Sequence, residues 1–132
     1  MQDSYDKWNN IKKEINKETK YRNFKEREIF YIKMGENIGF EQNGKGEEFV
    51  RPVIVLKKFN KDIFFGIPLS SKIKDGVFYH KFEFVKYNNI SVNIALLSQL
   101  KLYSSKRLLN KIGMINKDDF LSIKSKLKRL IE

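Results

Sequence analysis

The residues best suited to chemistry lie around Arg51-Pro52-Val53-Ile54-Val55-Leu56. An arginine, a proline and four aliphatic residues form the pattern of a buried strand entered through a rigid corner, with one permanent positive charge at its mouth. Such a charge suits an anion. Upstream, residues 35–48 hold four glycines and no hydrophobic periodicity, so Phe40, Glu41, Gln42 and Lys45 fall in a mobile loop. Downstream, Asp62-Ile63-Phe64-Phe65-Gly66-Ile67 reads as a second apolar strand, ended by Pro68 and followed by Leu69-Ser70-Ser71-Lys72. Two hydroxyls and an ammonium therefore emerge where a strand stops. If the strands pair through Phe59-Asn60-Lys61, Ser70 returns to the end of the sheet that carries Arg51. Loop, guanidinium and hydroxyl then share one cleft.

The elements that position these groups belong to one domain, because 132 residues suffice for one hydrophobic core and not for two. From Asp3 to Arg22, Tyr5, Trp8, Ile11 and Ile15 recur at helical spacing, with Asp3 and Asp6 in the first turn. This pattern predicts an amphipathic helix whose apolar stripe covers the sheet or meets another chain. Glu28–Met34 reads as a first strand. After the two strands above, Asp75-Gly76 marks a tight turn. Val77–Phe84 alternates, with Phe78, His80, Phe82 and Phe84 on one face, so the single histidine is expected in the core rather than in catalysis. The next strand should bury Ile90, Val92, Ile94 and Leu96. A shift in alternation then groups Gln99, Lys101 and Tyr103 opposite Leu100 and Leu102. A final helix is expected from an Asn116 N-cap to Ile131, burying Phe120, Ile123, Leu127, Leu130 and Ile131. The sum is a small α+β fold on a curled antiparallel sheet.

Composition narrows the function. The net charge is +11, and the basic excess lies in residues 1–27 and 101–132, which suits nucleic acid, an acidic protein partner, or both. There is no cysteine, hence no disulfide, thiol nucleophile or Cys-ligated zinc. A lone histidine cannot supply a His/Cys metal site, and Glu47-Glu48 is not a two-metal carboxylate cluster. Gly44-Lys45-Gly46 lacks the flanking pattern of a phosphate-binding P-loop, and Ser70-Ser71 lack the glycines of a nucleophile elbow. No metal or other cofactor is expected. With neither a signal peptide nor an apolar run long enough to span a membrane, the expected location is cytoplasmic.

Four segments in order resemble the MazF/PemK toxin family of toxin-antitoxin systems. They are Glu28-Ile29-Phe30-Tyr31-Ile32, Gly39-Phe40-Glu41-Gln42-Asn43-Gly44, Arg51-Pro52-Val53-Ile54-Val55-Leu56 and Ile67-Pro68-Leu69-Ser70-Ser71-Lys72. Later, Leu97-Ser98-Gln99-Leu100-Lys101-Leu102 and Lys106-Arg107-Leu108 are similar to the family's hydrophobic-Gln-hydrophobic-basic strand and its Arg-Leu turn. The resemblance implies a toxin domain over residues 26–132, an SH3-like barrel with a C-terminal helix, preceded by a helical extension over 1–25. It also implies a homodimer, a single-stranded RNA substrate cut without metal, and an inhibitory acidic antitoxin. In its terms Arg51 and Ser70 form the catalytic pair, Glu41 is the base, and Phe40, Gln42, Lys45, Ser71, Lys72, Gln99 and Lys101 contact RNA.

The chemistry is consistent with those roles. RNA brings its own nucleophile, the 2′-hydroxyl, so the protein must accept a proton, stabilise charge on phosphorus and assist the departing 5′-oxygen. Arg51 matches the second task because its planar fork fits two phosphate oxygens and keeps its charge, and that permanence makes it a poor base. Ser70 can donate to the same phosphate or to the leaving oxygen. The chain departs from the family's pattern in three places. Ser70-Ser71 stand where Thr is usual, Gly46-Glu47-Glu48-Phe49 lengthens the loop before Arg51, and Lys101 and Ser104 stand near positions where Arg and Asp are common. A non-catalytic binder of nucleic acid, or a gyrase-inhibiting toxin of the same fold, is the rival reading.

Overall fold

The computed structural model describes residues 23–34 and 50–132. The predicted N-terminal helix lies outside the described residues. Among the described residues seven strands and one α-helix follow in order: β1 (Glu28–Lys33), β2 (Val50–Lys58), β3 (Ile63–Ser70), β4 (Tyr79–Lys86), β5 (Asn89–Leu96), β6 (Lys101–Ser104), β7 (Leu108–Met114) and α1 (Lys117–Ile131). The antiparallel sheet has the order β4-β5-β3-β2-β1-β7, and β6 pairs with β3 off this path. It curls into a half barrel rather than a closed one. Gly113 lets β7 come against β4, since a Cβ there would stand 2.5 Å from the Phe84 ring and 2.9 Å from the Val85 carbonyl oxygen.

The aliphatic run of β2 is buried on both sides, which is why it shows no polar alternation. Ile54 and Leu56 enter one core with Ile29, Ile67, Leu69, Phe82, Phe84, Phe120 and Ile123. Val53 and Val55 enter a second with Phe24, Phe30, Ile32, Phe64, Tyr103 and Leu108. The β2–β3 connection is an Asx turn: Asn60 Oδ1 accepts from the Asp62 and Ile63 amides at 2.7 and 3.0 Å, holding the hairpin in its predicted register. Strand β3 is the branch point. It pairs with β2 along one edge, and along the other with β6 at its start and with β5 at Leu69 and Ser70. Gly66 permits this crowding, because a Cβ would meet Val53 Cγ1 at 2.6 Å and the Tyr103 ring at 2.8 Å.

Helix α1 begins as its sequence requires. The Asn116 side chain accepts from the Asp119 amide at 2.8 Å, Asp118 and Asp119 occupy the first turn, and Lys128 and Arg129 the last. Phe120 and Ile123 are buried, and Leu127 and Leu130 pack on the same core. Ile131, expected in the core, is exposed because the helix runs past the sheet it covers. His80 is buried on the apolar face of β4 beside Phe82 and Phe84, as expected, whereas Phe78 precedes the strand and is exposed. His80 Nε2 lies 2.8 Å from Asp119 Oδ1, and Lys126 Nζ lies 2.9 Å from Nδ1. An ammonium can only donate, so Nδ1 accepts and Nε2 carries the proton. The histidine thus fastens α1 to β4.

Two expectations about the later strands are corrected. Ile94 and Leu96 are buried, but Ile90 and Val92 are exposed, because β5 pairs with β3 only at Ala95 and Ile94 and its first half extends past β3 with β4 alone paired to it. Tyr103 does not join a polar face: its ring is buried against Phe64 at 5.7 Å, and Leu102 is exposed instead. A 3-10 turn at Leu97–Gln99 separates β5 from β6, so alternation does not run continuously from one to the other. None of the described helices is long and apolar enough to cross a membrane.

Candidate active site

Strands β2 and β3 run antiparallel, with Val53 opposite Pro68 and Ile54 opposite Ile67. Continuing that register by two residues brings Arg51 level with Ser70. Both line a cleft of about 270 Å³, together with Tyr31, Val50, Pro52, Leu69, Ser71, Lys72, Lys86, Ser91 and Asn93. Residues 19 positions apart in the chain therefore meet at one mouth, as the hairpin register requires.

Arg51 is half-buried, and its Nη2 donates to the Leu69 carbonyl at 3.4 Å. One of five N–H groups is thus used to aim the fork across the end of β3. Burial pulls the Arg51 guanidinium below its ordinary arginine value, and neighbouring Tyr103 opposes that shift. The group stays charged at working pH. Burial pushes the Tyr103 phenol up to about 12, with Arg51 drawing it back, so the phenol is neutral beside the cation. Its hydroxyl has no hydrogen-bond partner among the described residues.

Ser70 Oγ accepts from the Lys72 amide at 3.1 Å, a local turn that leaves the hydroxyl proton free to donate. Ser71 and Lys72 are exposed at the rim. A further part of the lining comes from the β4–β5 hairpin. Lys86 Nζ sits 5.1 Å from the centre of the Tyr31 ring, and the buried Asn93 donates through Nδ2 to Ser91 Oγ at 2.8 Å. Among the described residues the lining holds three cations, hydroxyls and an amide, and no carboxylate, imidazole or thiol. That donor set favours an anion over a metal ion.

Of the residues singled out in the sequence, Arg51, Ser70, Ser71 and Lys72 come together here. Gln99 and Lys101 do not line the cleft: Gln99 is exposed in the 3-10 turn, and Lys101 Nζ lies 5.1 Å from the Tyr103 ring centre. Phe40, Glu41, Gln42 and Lys45 lie outside the described residues. Tyr31, Lys86, Ser91 and Asn93 were not anticipated. Their signal was present in β5, where Ser91 and Asn93 alternate with Ile90, Val92 and Ile94 and so face the other way.

No curated protein sequence matches the chain. The fold is similar to that of the Mycobacterium tuberculosis toxin MazF-mt6, with a TM-score of 0.60 and 11% identity over 80% of this chain and 96% of that one. A second solved structure, described as an Mtb toxin, is similar with a TM-score of 0.52 and 12% identity, over 60% of this chain and 90% of the other. The family profile described as PemK-like, MazF-like toxin of type II toxin-antitoxin system matches residues 25–131, and the chain belongs to that family.

Proposed function

We propose that this chain is a toxin-type endoribonuclease that cuts single-stranded RNA without a metal ion, acts as a homodimer, and is held inactive by an acidic antitoxin. The observation that carries the reading is the convergence of Arg51 and Ser70 on one cleft whose described lining is basic and holds no carboxylate, with Lys72 and Lys86 beside them. In the proposed reaction a base takes the 2′-hydroxyl proton and the 2′-oxygen attacks the adjacent phosphorus. The bond from phosphorus to the 5′-oxygen breaks, a proton is delivered to that oxygen, and a 2′,3′-cyclic phosphate remains. Arg51 neutralises the charge that builds on the non-bridging oxygens. Ser70 donates to the phosphate or to the departing oxygen. These contacts act on the transition state, where each donor counts most.

Glu41 is our candidate for the base. His80 is not, because both its ring nitrogens are engaged by Asp119 and Lys126 away from the cleft. The basic excess of the chain supports attraction to RNA and to an acidic inhibitor alike. The test is cleavage of an unpaired RNA by purified protein in the presence of chelator, with product ends identified. Wild-type protein should leave cyclic phosphate and 5′-hydroxyl ends, and Arg51→Ala protein should leave the RNA intact. Equal cutting by both would assign the activity to a contaminant and remove the proposal.

A further inference from the structure

The hairpin wall of the cleft has a built character of its own. Ile94 pairs with Ser70, and Asn93 is the next residue along β5, so it stands beside the catalytic hydroxyl's strand end. Asn93 is only 6% exposed, yet it is polar and lines the cleft. A buried amide is costly unless its groups are paired. One N–H is pinned to Ser91 Oγ, which fixes the plane of the amide and leaves a carbonyl oxygen and a second N–H as a preset acceptor–donor edge. Lys86, at the end of β4, is half-buried with its ammonium above the Tyr31 ring, a contact that restrains an otherwise floppy cation. Cation, ring and amide edge thus line the same cleft as Arg51 and Ser70.

We infer that the β4–β5 wall is a subsite for the unpaired nucleotide that adjoins the scissile linkage, with Lys86 on its phosphate and the Asn93 amide reading its base edge. This rests on the reading of the cleft as an RNA site and adds to it the residue that selects the base. An acceptor–donor edge matches the Watson–Crick or Hoogsteen edge of a splayed base, which is how single-stranded RNA is read.

The inference is tested by fluorescence anisotropy with four 2′-O-methyl homodecamers, which lack a free 2′-nucleophile, over a series of salt concentrations. Wild-type protein should prefer one base. Asn93→Ser should reduce that preference roughly tenfold, the discrimination expected of a paired amide edge. Lys86→Gln, a change at a partly exposed position, should weaken all four alike and make the salt slope shallower by about 0.7. A wild-type protein without base preference, or an Asn93→Ser protein that keeps the wild-type ranking, would overturn base reading. An unchanged salt slope for Lys86→Gln would overturn the phosphate contact, and this variant decides the matter if Asn93→Ser fails to fold. Because these decamers cannot be cut, wild-type protein that shows both signatures while sparing ordinary RNA would retain the subsite and refute the nuclease. Protein that cuts RNA while neither variant alters binding would do the reverse.

Discussion

Arg51 donates from Nη2 to the main-chain carbonyl of Leu69, the residue immediately before Ser70. One hydrogen bond therefore ties the aim of the guanidinium to the strand end that presents the hydroxyl. A shift in either strand moves both groups together.

That coupling makes the form of the cation matter as well as its sign. Arg51→Lys keeps the charge but loses the fork and the reach to Leu69, so cleavage should fall by about a hundredfold or more, close to the loss in Arg51→Ala. Single-turnover cleavage with chelator measures both. Near-wild-type activity of the lysine variant would mean that only charge is needed at this position.

Ser70→Ala should lower the cleavage rate by about a hundredfold, the usual effect of losing one transition-state donor, while Ser70→Thr should retain most of it because the hydroxyl remains. If alanine and threonine variants behave alike, the hydroxyl is not the operative group.

The buried Tyr103 hydroxyl lacks a partner among the described residues, and an unmade hydrogen bond in the interior costs about 1–3 kcal/mol. Tyr103→Phe should therefore raise the melting temperature by roughly 3–5 °C. A pH effect follows from the same burial. The folded phenol is raised from 10.0 to about 12, so between those values the folded state holds a proton that the unfolded state has lost. Stability is full below pH 10 and falls as pH rises toward 12, by roughly 2–3 kcal/mol in all. Comparing urea midpoints of wild-type and Tyr103→Phe proteins at pH 9 and pH 11.5 isolates this loss. Parallel declines in the two proteins would reject it.

His80→Ala leaves Asp119 and Lys126 without the imidazole and opens a gap between β4 and α1. A loss of about 2–4 kcal/mol is expected, with the chemistry of cleavage intact where the protein stays folded. A specific rate loss without a stability loss would instead give this histidine a part in the reaction.

Gly113→Ala places a methyl group 2.5 Å from the Phe84 ring and close to the Val85 carbonyl. Since β4 must yield, a destabilisation of about 1–3 kcal/mol is expected, read by chemical denaturation. The hairpin bearing Lys86, Ser91 and Asn93 starts from β4, so RNA binding should weaken as well.

The amino-acid sequence alone determined the hairpin of β2 and β3, its turn at Asn60, the convergence of Arg51 with Ser70, the core histidine and the capped C-terminal helix. Each follows from short-range rules: strand period, turn chemistry, the reach of a side-chain cap. Long-range pairing was decided only in the tertiary structure. That β3 divides its free edge between β6 and β5 depends on which strands find each other, and no local pattern encodes it. The consequences are specific. Ile90 and Val92 read as core but are exposed where β5 extends past β3, Tyr103 reads as polar and is buried, and Gln99 and Lys101 stay outside the cleft. Lys86, Ser91 and Asn93 enter the site because an antiparallel ladder fixes side-chain direction only after partners are chosen, and the choice of Ser70 opposite Ile94 turns them inward.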